Sequence, residues 1–64
     1  MNVNGKPIPC AAGMTVQTLL DTLGHDRQRV AVERNGQIIP RARFAEELLD
    51  ESDAIEIVCF VGGG

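Results

Sequence analysis

Three consecutive glycines, Gly62, Gly63 and Gly64, are the residues whose type and spacing best suit a chemical role. Glycine loses much entropy on ordering and packs against nothing, so we predict a thin, flexible arm over residues 62–64 that ends in a free carboxylate. Because the arm has no Cβ atoms, it fits a narrow channel and leaves its terminal carbonyl open to attack. A carboxylate is a poor electrophile and needs activation by a nucleotide-using partner. The alternative is a frayed terminus without function.

Two cysteines and one histidine are the remaining candidates for chemistry. Cys10 and Cys59 lack the spacing of a zinc or redox site, and two cysteines cannot form the disulfide framework of a small secreted domain. We interpret both as reduced thiols in half-buried strands, and His25 as a surface residue beside a helix end. The phosphate-loop, nucleophile-elbow and zinc-protease motifs are absent from the sequence. We therefore expect a chain that is not an enzyme and has no metal site.

Composition excludes several other classes of protein. A chain of 64 residues buries too little surface to enclose a large active site. Its net charge of -3 and its 3% aromatic content argue against nucleic-acid binding. The longest apolar run, residues 57–61, is far shorter than the roughly 20 residues that span a bilayer, and the sequence starts without a signal-peptide pattern. We expect a cytoplasmic protein that is a monomer when free and has no membrane partner.

Two Asn-Gly pairs predict the hairpins that surround these residues. Asn-Gly supplies the two positive φ angles of a type I′ turn, so residues 1–4 should pair with 6–10 and residues 29–34 with 37–39. Between the hairpins, apolar residues at i, i+3, i+4 and i+7 predict an α-helix. Thr15 is its predicted N-cap and Gly24 its end. The apolar stripe of this helix consists of Val16, Leu19, Leu20 and Leu23.

The segment after the second hairpin predicts a short helical cover and a final strand. Pro40 ends the hairpin, and one or two helical turns over the core carry Phe44, Ala45, Leu48 and Leu49. Residues 54–60 are mostly apolar and β-branched, which favours a strand with neighbours on both sides. The order of elements predicts an α+β fold with a mixed sheet of four or five strands and one main helix packed on one face.

Alternation along the last strand predicts a surface for a partner. Ile55, Ile57 and Cys59 should face the helix, which leaves Val58 and Phe60 on the opposite face as a docking patch beside the arm, or as ordinary exposed apolar residues. Charge is segregated as well, because five of the six basic residues lie within 27–43 and a base-free acidic stretch covers 46–56. That stretch either steers the arm towards a basic partner or is a solvated surface.

Taken together, these features resemble the ThiS sulfur carriers of thiamine biosynthesis, members of the ubiquitin-like β-grasp superfamily. The resemblance covers nearly the whole chain. It rests on Asn4-Gly5, the run from Cys10 to Val16 leading into Leu19-Leu20, Val30-Ala31-Val32 with Asn35-Gly36, Ile39-Pro40-Arg41, Asp53, and the final Gly63-Gly64. It implies a β-grasp domain over residues 1–61, followed by the flexible glycine arm over 62–64.

The resemblance also implies a reaction sequence at Gly64. A ThiF-like enzyme would adenylate its carboxylate with ATP and Mg²⁺, and sulfur from a donor with a cysteine persulfide would replace AMP to give a thiocarboxylate. A ThiG-type thiazole synthase would then take the sulfur, and the chain itself would bind no cofactor. The alternatives are a MoaD-like carrier for molybdopterin synthesis, a ubiquitin-like protein modifier joined through Gly64, and a binding module with an inert arm.

Overall fold

The structure is a computed structural model that describes residues 1–60. Val61 and the predicted arm of Gly62, Gly63 and Gly64 lie outside the described residues, so the division into a domain at 1–61 and an arm at 62–64 stays a prediction.

Strands, one helix and two short 3₁₀ turns make up residues 1–60. The five strands are β1 (Asn2–Val3), β2 (Lys6–Pro7), β3 (Val30–Arg34), β4 (Gln37–Ile38) and β5 (Ala54–Cys59). Helix α1 spans Val16–Leu23, the first 3₁₀ turn spans Arg27–Arg29, and the second spans Arg41–Arg43.

The strands form one mixed sheet in the order β2-β1-β5-β3-β4. β1 and β5 are parallel, and the other neighbouring strands are antiparallel. β5 therefore lies in the middle of the sheet, as predicted, with the first hairpin on one side and the second on the other. This is the mixed five-stranded sheet with one helix that the β-grasp resemblance implies.

Both hairpins turn at the predicted Asn-Gly pairs. Asn4 and Gly5 have φ of 52° and 83°, and Asn35 and Gly36 have φ of 52° and 84°, as a type I′ turn requires. The first pairing is shorter than predicted, because it ends where Ile8 N donates to the Met1 carbonyl at 2.9 Å. The next residue is a proline, which has no N–H to continue the ladder.

Helix α1 has the predicted ends and most of the predicted buried face. Thr15 caps it through a reciprocal capping box with Thr18, and Gly24 ends it in the left-handed region at φ 78°. Leu23 differs from its prediction, because 38% of its surface is exposed at the last position of the helix. The buried stripe therefore consists of Val16, Leu19 and Leu20.

The segment after β4 covers the start of the helix, but only partly as a helical turn. Phe44 and Leu49 are buried as predicted, whereas Leu48 is 60% exposed and Ala45 is exposed as well. The predicted apolar stripe is wrong there because residues 47–49 run extended beside the helix start, with Leu48 bridged to Thr15, so successive side chains alternate in direction. Carbonyls of this segment accept the first N–H groups of α1, which have no partner inside the helix.

The core lies between α1 and one face of the sheet. Its buried apolar residues are Val3, Val16, Leu19, Leu20, Val30, Val32, Ile39, Phe44, Leu49, Ile55 and Ile57. Within residues 1–60, every helix is too short and too polar to cross a membrane.

Candidate functional site at the end of strand β5

Strand β5 positions the chain from which the arm continues. It pairs with β3 over its whole length beyond Ala54, from Ile55 opposite Arg34 to Cys59 opposite Val30. One residue further, Phe60 N donates to the carbonyl of Arg29 at 2.8 Å. The last described residue is therefore fixed to the residue that precedes β3.

The start of β5 is held by a buried carboxylate. Only 4% of the surface of Asp53 is exposed. Its Oδ1 accepts from the Asn35 amide at 3.0 Å, and its Oδ2 accepts from Asp50 N at 2.8 Å and lies 3.0 Å from the Arg34 Nε. Burial disfavours the charged form of Asp53, but these three donors favour it more strongly, so the pKa of the carboxyl is lowered. The ThiS resemblance singles out Asp53, but it does not predict that the carboxylate is buried and holds the start of β5.

The two turn asparagines also hold β5 through their side chains. The Asn4 amide donates to the Ile57 carbonyl at 3.1 Å and accepts from Ile57 N at 2.7 Å. The Asn35 Oδ1 accepts from Ala54 N at 2.9 Å. We call these contacts the asparagine clamps. The only sequence signal for them is that both turns begin with asparagine, a residue that tolerates positive φ and carries a donor and an acceptor.

The docking patch predicted at the end of β5 is exposed. Val58 is 52% and Phe60 is 55% exposed, while Ile55 and Ile57 of the opposite face are buried. The exposure agrees with the predicted alternation. Whether a partner docks there stays a prediction.

Cys59 is a correction to the sequence interpretation. It was expected to pack under the helix, but it is exposed, because the side chain it contacts belongs to His25, beyond the end of α1 at Leu23. Its Sγ lies 3.6 Å from Nδ1 of His25, which the sequence interpretation left without a partner. Cys10 is half-buried and packs against the core as expected. Both thiols are free within the described part of the chain.

Part of the segregated charge is neutralised inside the molecule. Glu47 from the acidic stretch lies 2.9 Å from Arg34 and 3.5 Å from Arg43, and Asp53 completes the group. Glu47 and Asp53 form ion pairs inside the molecule. The two roles predicted for the acidic stretch, steering of the arm and a solvated surface, therefore do not apply to them. Glu46 and Glu51 are exposed and make no ion pair within residues 1–60.

No obvious metal or cofactor site accompanies these residues in the described range. Within 1–60, no three His, Cys, Asp or Glu residues are grouped so that they could hold a metal ion. An open groove of about 400 Å³ lies beside β4, where Ile38, Arg34 and Arg43 line it. Arg34 pairs with the start of β5, so this groove is at the opposite end of the sheet from Phe60.

The sheet order, the single helix packed on one face and the central last strand define a β-grasp protein. Comparison with known proteins gives the family. The ThiS family model matches residues 1–64, and the chain belongs to the ThiS family.

Three relatives illustrate this similarity. The chain is 42% identical to the sulfur carrier protein ThiS of Bacillus subtilis, over 100% of this chain and 98% of that protein. The crystal structure of the thiamine biosynthesis protein ThiS from Geobacter metallireducens matches with a TM-score of 0.77 and 36% identity, over 98% of this chain and 96% of that one. The chain is also 45% identical to a thiazole synthase of Paramagnetospirillum magneticum, over 97% of this chain and 19% of that protein. The chain thus spans about a fifth of the length of that relative.

Proposed function

We propose that this chain is a sulfur carrier of thiamine biosynthesis and that its Gly64 carboxylate becomes a thiocarboxylate. The observation that carries the proposal is the match to the ThiS family over residues 1–64, which includes the final Gly63-Gly64. The similarity to carriers of nearly the same length supports the same role. The chain is then a substrate of partner enzymes rather than an enzyme.

Activation of Gly64 requires a nucleotide, because a carboxylate resists nucleophilic attack. In the proposed reaction, a ThiF-like enzyme uses ATP and Mg²⁺ to convert the carboxylate into a glycyl adenylate with release of pyrophosphate. The terminal sulfur of a cysteine persulfide then attacks the adenylate and displaces AMP, and a thiol cleaves the resulting acyl disulfide, which leaves the thiocarboxylate on Gly64 and a disulfide on the donor. The arm of Gly62, Gly63 and Gly64 threads the partner's active site, and Val58 and Phe60 dock beside it. The exposure of these two apolar side chains supports that placement.

The sulfur acceptor we propose is a thiazole synthase of the ThiG type. A segment of the thiazole synthase from Paramagnetospirillum magneticum is 45% identical to this chain, and one from Magnetococcus marinus is 42% identical. Where a carrier-like segment and a synthase share one polypeptide, the carrier is delivered directly to the enzyme. The two free thiols of the described residues suit the reducing cytoplasm, where we place this reaction.

Intact-mass spectrometry tests the proposal. The full chain is incubated with the ThiF-like enzyme of the same genome, ATP, Mg²⁺, a persulfide donor and a thiol that cleaves the acyl disulfide. We expect a species heavier by one oxygen-to-sulfur exchange, localised to Gly64 by fragmentation. The matched control is a variant without Gly64, which should fold normally and stay unmodified. A wild-type chain that stays unmodified under these conditions contradicts the carrier role, and adducts to other proteins would indicate a protein modifier instead.

A further inference from the structure

Two arginines cross between the 3₁₀ turns and hold each other's backbone. The Arg27 Nη2 donates to the carbonyl of Arg41 at 2.9 Å, and the Arg41 Nε donates to the carbonyl of Arg27 at 2.7 Å. The Arg41 Nη2 also donates to the carbonyl of Val30 at 3.2 Å. We call Arg27 and Arg41 the arginine pair. These bonds fix both guanidinium groups in place before any partner binds.

The arginine pair has no counter-ion within residues 1–60. The ion pairs of this range involve Arg29, Arg34 and Arg43, and none of them involves Arg27 or Arg41. The Arg27 guanidinium lies 5.8 Å from the centre of the Phe44 ring, and its buried Nε has no hydrogen-bond acceptor there. Two neighbouring positive charges repel each other.

The arginine pair lies at the end of the sheet from which the arm continues. The first 3₁₀ turn leads directly into β3, whose first residue, Val30, is opposite Cys59. Arg29 of the same turn accepts the hydrogen bond of Phe60, the last described residue. A protein that encloses the arm must therefore approach this end of the molecule.

We propose that the arginine pair binds an Asp or Glu carboxylate on the enzyme that activates Gly64, an inference that rests on the function proposed above. Guanidinium groups present several N–H donors in a plane that matches a carboxylate, and this pair is already ordered, so binding costs little side-chain entropy. The nucleotide phosphates are a poorer fit. They must meet Gly64, which at full extension lies about 13 Å beyond Phe60, whereas the pair lies at the root of the arm.

The test measures the dissociation constant of the full chain for the ThiF-like enzyme in the absence of nucleotide. Arg27→Gln and Arg41→Gln should each raise the constant about 10- to 100-fold, as the loss of a charged hydrogen bond does, and should reduce its dependence on salt. Arg43→Gln is the matched control, because it removes an exposed arginine of the same turn that is paired with Glu47 and takes no part in the bonds between the two turns. It should change the constant less than about twofold.

A second pair of variants keeps the test decisive if the Gln variants unfold, which thermal unfolding reports. Arg27→Lys and Arg41→Lys preserve the charge but lose the planar fork, and they should weaken binding more than Arg43→Lys does. Equal dissociation constants for the variants of the arginine pair and the variants of Arg43 overturn the proposal. So does a loss that appears only when ATP is bound, since the pair would then contact a phosphate. If the wild-type chain binds but is never converted to the thiocarboxylate, the proposed function fails while the docking inference stands.

Discussion

The two ends of β5 are built in opposite ways although they belong to one strand. At its start, the Asp53 carboxylate is buried among three hydrogen-bond donors, and Asn35 holds the backbone of Ala54. At its end, Val58 and Phe60 are exposed. The first end satisfies its polar groups internally, and the second exposes apolar side chains. The comparison teaches that one strand can be fixed by buried polar contacts at its start and still expose apolar surface at its end, as the proposed docking requires.

Charge follows the same division. Arg34 and Arg43 are paired with Glu47 near the start of β5, so little of their charge is left for a partner. Arg27 and Arg41 lie near the other end, and within the described residues no carboxylate pairs with them. The net charge of -3 on the whole chain therefore says little about the local charge of the surface that faces the proposed partner.

Removing the buried charge of Asp53 should destabilise the start of β5. We expect this change to have the largest effect on the free energy of unfolding. Asp53→Asn leaves Arg34 with only one of its two carboxylate partners, Glu47, and removes the charge that three donors surround, so we expect a loss of about 2–3 kcal/mol in the free energy of unfolding. Urea denaturation measures this loss. The control Glu51→Gln, which changes an exposed acid, should cost less than about 0.5 kcal/mol. Equal losses for both variants would contradict the anchoring role.

The pH dependence of the stability of wild type and Asp53→Asn tests whether the charge of Asp53 causes the loss. Because burial is outweighed by the hydrogen bonds from Asp50, Asn35 and Arg34, which hold the pKa of the Asp53 carboxyl below its usual value in the folded chain, its contribution to stability is complete above the unfolded pKa. This contribution to stability is lost as the pH falls from the unfolded pKa through the folded pKa. The difference in unfolding free energy between wild type and Asp53→Asn should therefore shrink as the pH falls below about 4. A constant difference across that range would show that the charge of Asp53 is not responsible.

Removing one asparagine clamp should have a smaller effect on stability. Asn4→Gly keeps the positive φ but deletes both hydrogen bonds to Ile57, so we expect a loss of about 1–2 kcal/mol. Hydrogen exchange should also speed up at the Ile57 amide, which donates to Asn4. The control Gly5→Asn places a residue that tolerates positive φ at the neighbouring turn position and leaves the clamp in place. If the Ile57 amide exchanges at the wild-type rate in Asn4→Gly, the clamp does not hold β5.

Substitution of the exposed apolar residues at the end of β5 should change the free energy of unfolding least. Val58→Ser and Phe60→Ser alter exposed side chains, so unfolding free energies should move by less than about 0.5 kcal/mol. Binding to the ThiF-like enzyme should nevertheless weaken about threefold to tenfold, because apolar contact area is lost. The control is Ile38→Ser, which removes an exposed apolar residue of β4 far from Phe60. A weaker complex for Ile38→Ser than for Val58→Ser would place the docking surface elsewhere.

Local signals predicted most of the fold. The Asn-Gly pairs define both hairpins, Thr15 and Gly24 define the ends of the helix, and the β-branched run over 54–60 indicates the central strand. Each of these depends on residues a few positions apart. The resemblance to the ThiS family supplied the reaction at Gly64.

Long-range contacts account for what sequence reasoning missed. Periodicity shows which side chains lie on the same face of a helix or strand. It does not show whether another element covers that face. Leu23 and Cys59 follow the predicted periodicity and are nevertheless exposed, since Leu23 is the last residue of α1 and Cys59 contacts His25 beyond the helix end. The contact of Cys59 with His25 joins residues 34 positions apart. The arginine pair likewise joins two turns on either side of a hairpin.

The central position of β5 has a consequence for the order of folding. In the sheet, the hairpin of β1 and β2 touches the hairpin of β3 and β4 only through β5. Each hairpin is a local unit that closes quickly, whereas the parallel contact of β1 with β5 brings together residues about 50 positions apart in the chain. We therefore expect the insertion of β5 to be the slow step that unites the sheet. The same step places Phe60, so we expect the exposed end of β5 to form only when folding is complete.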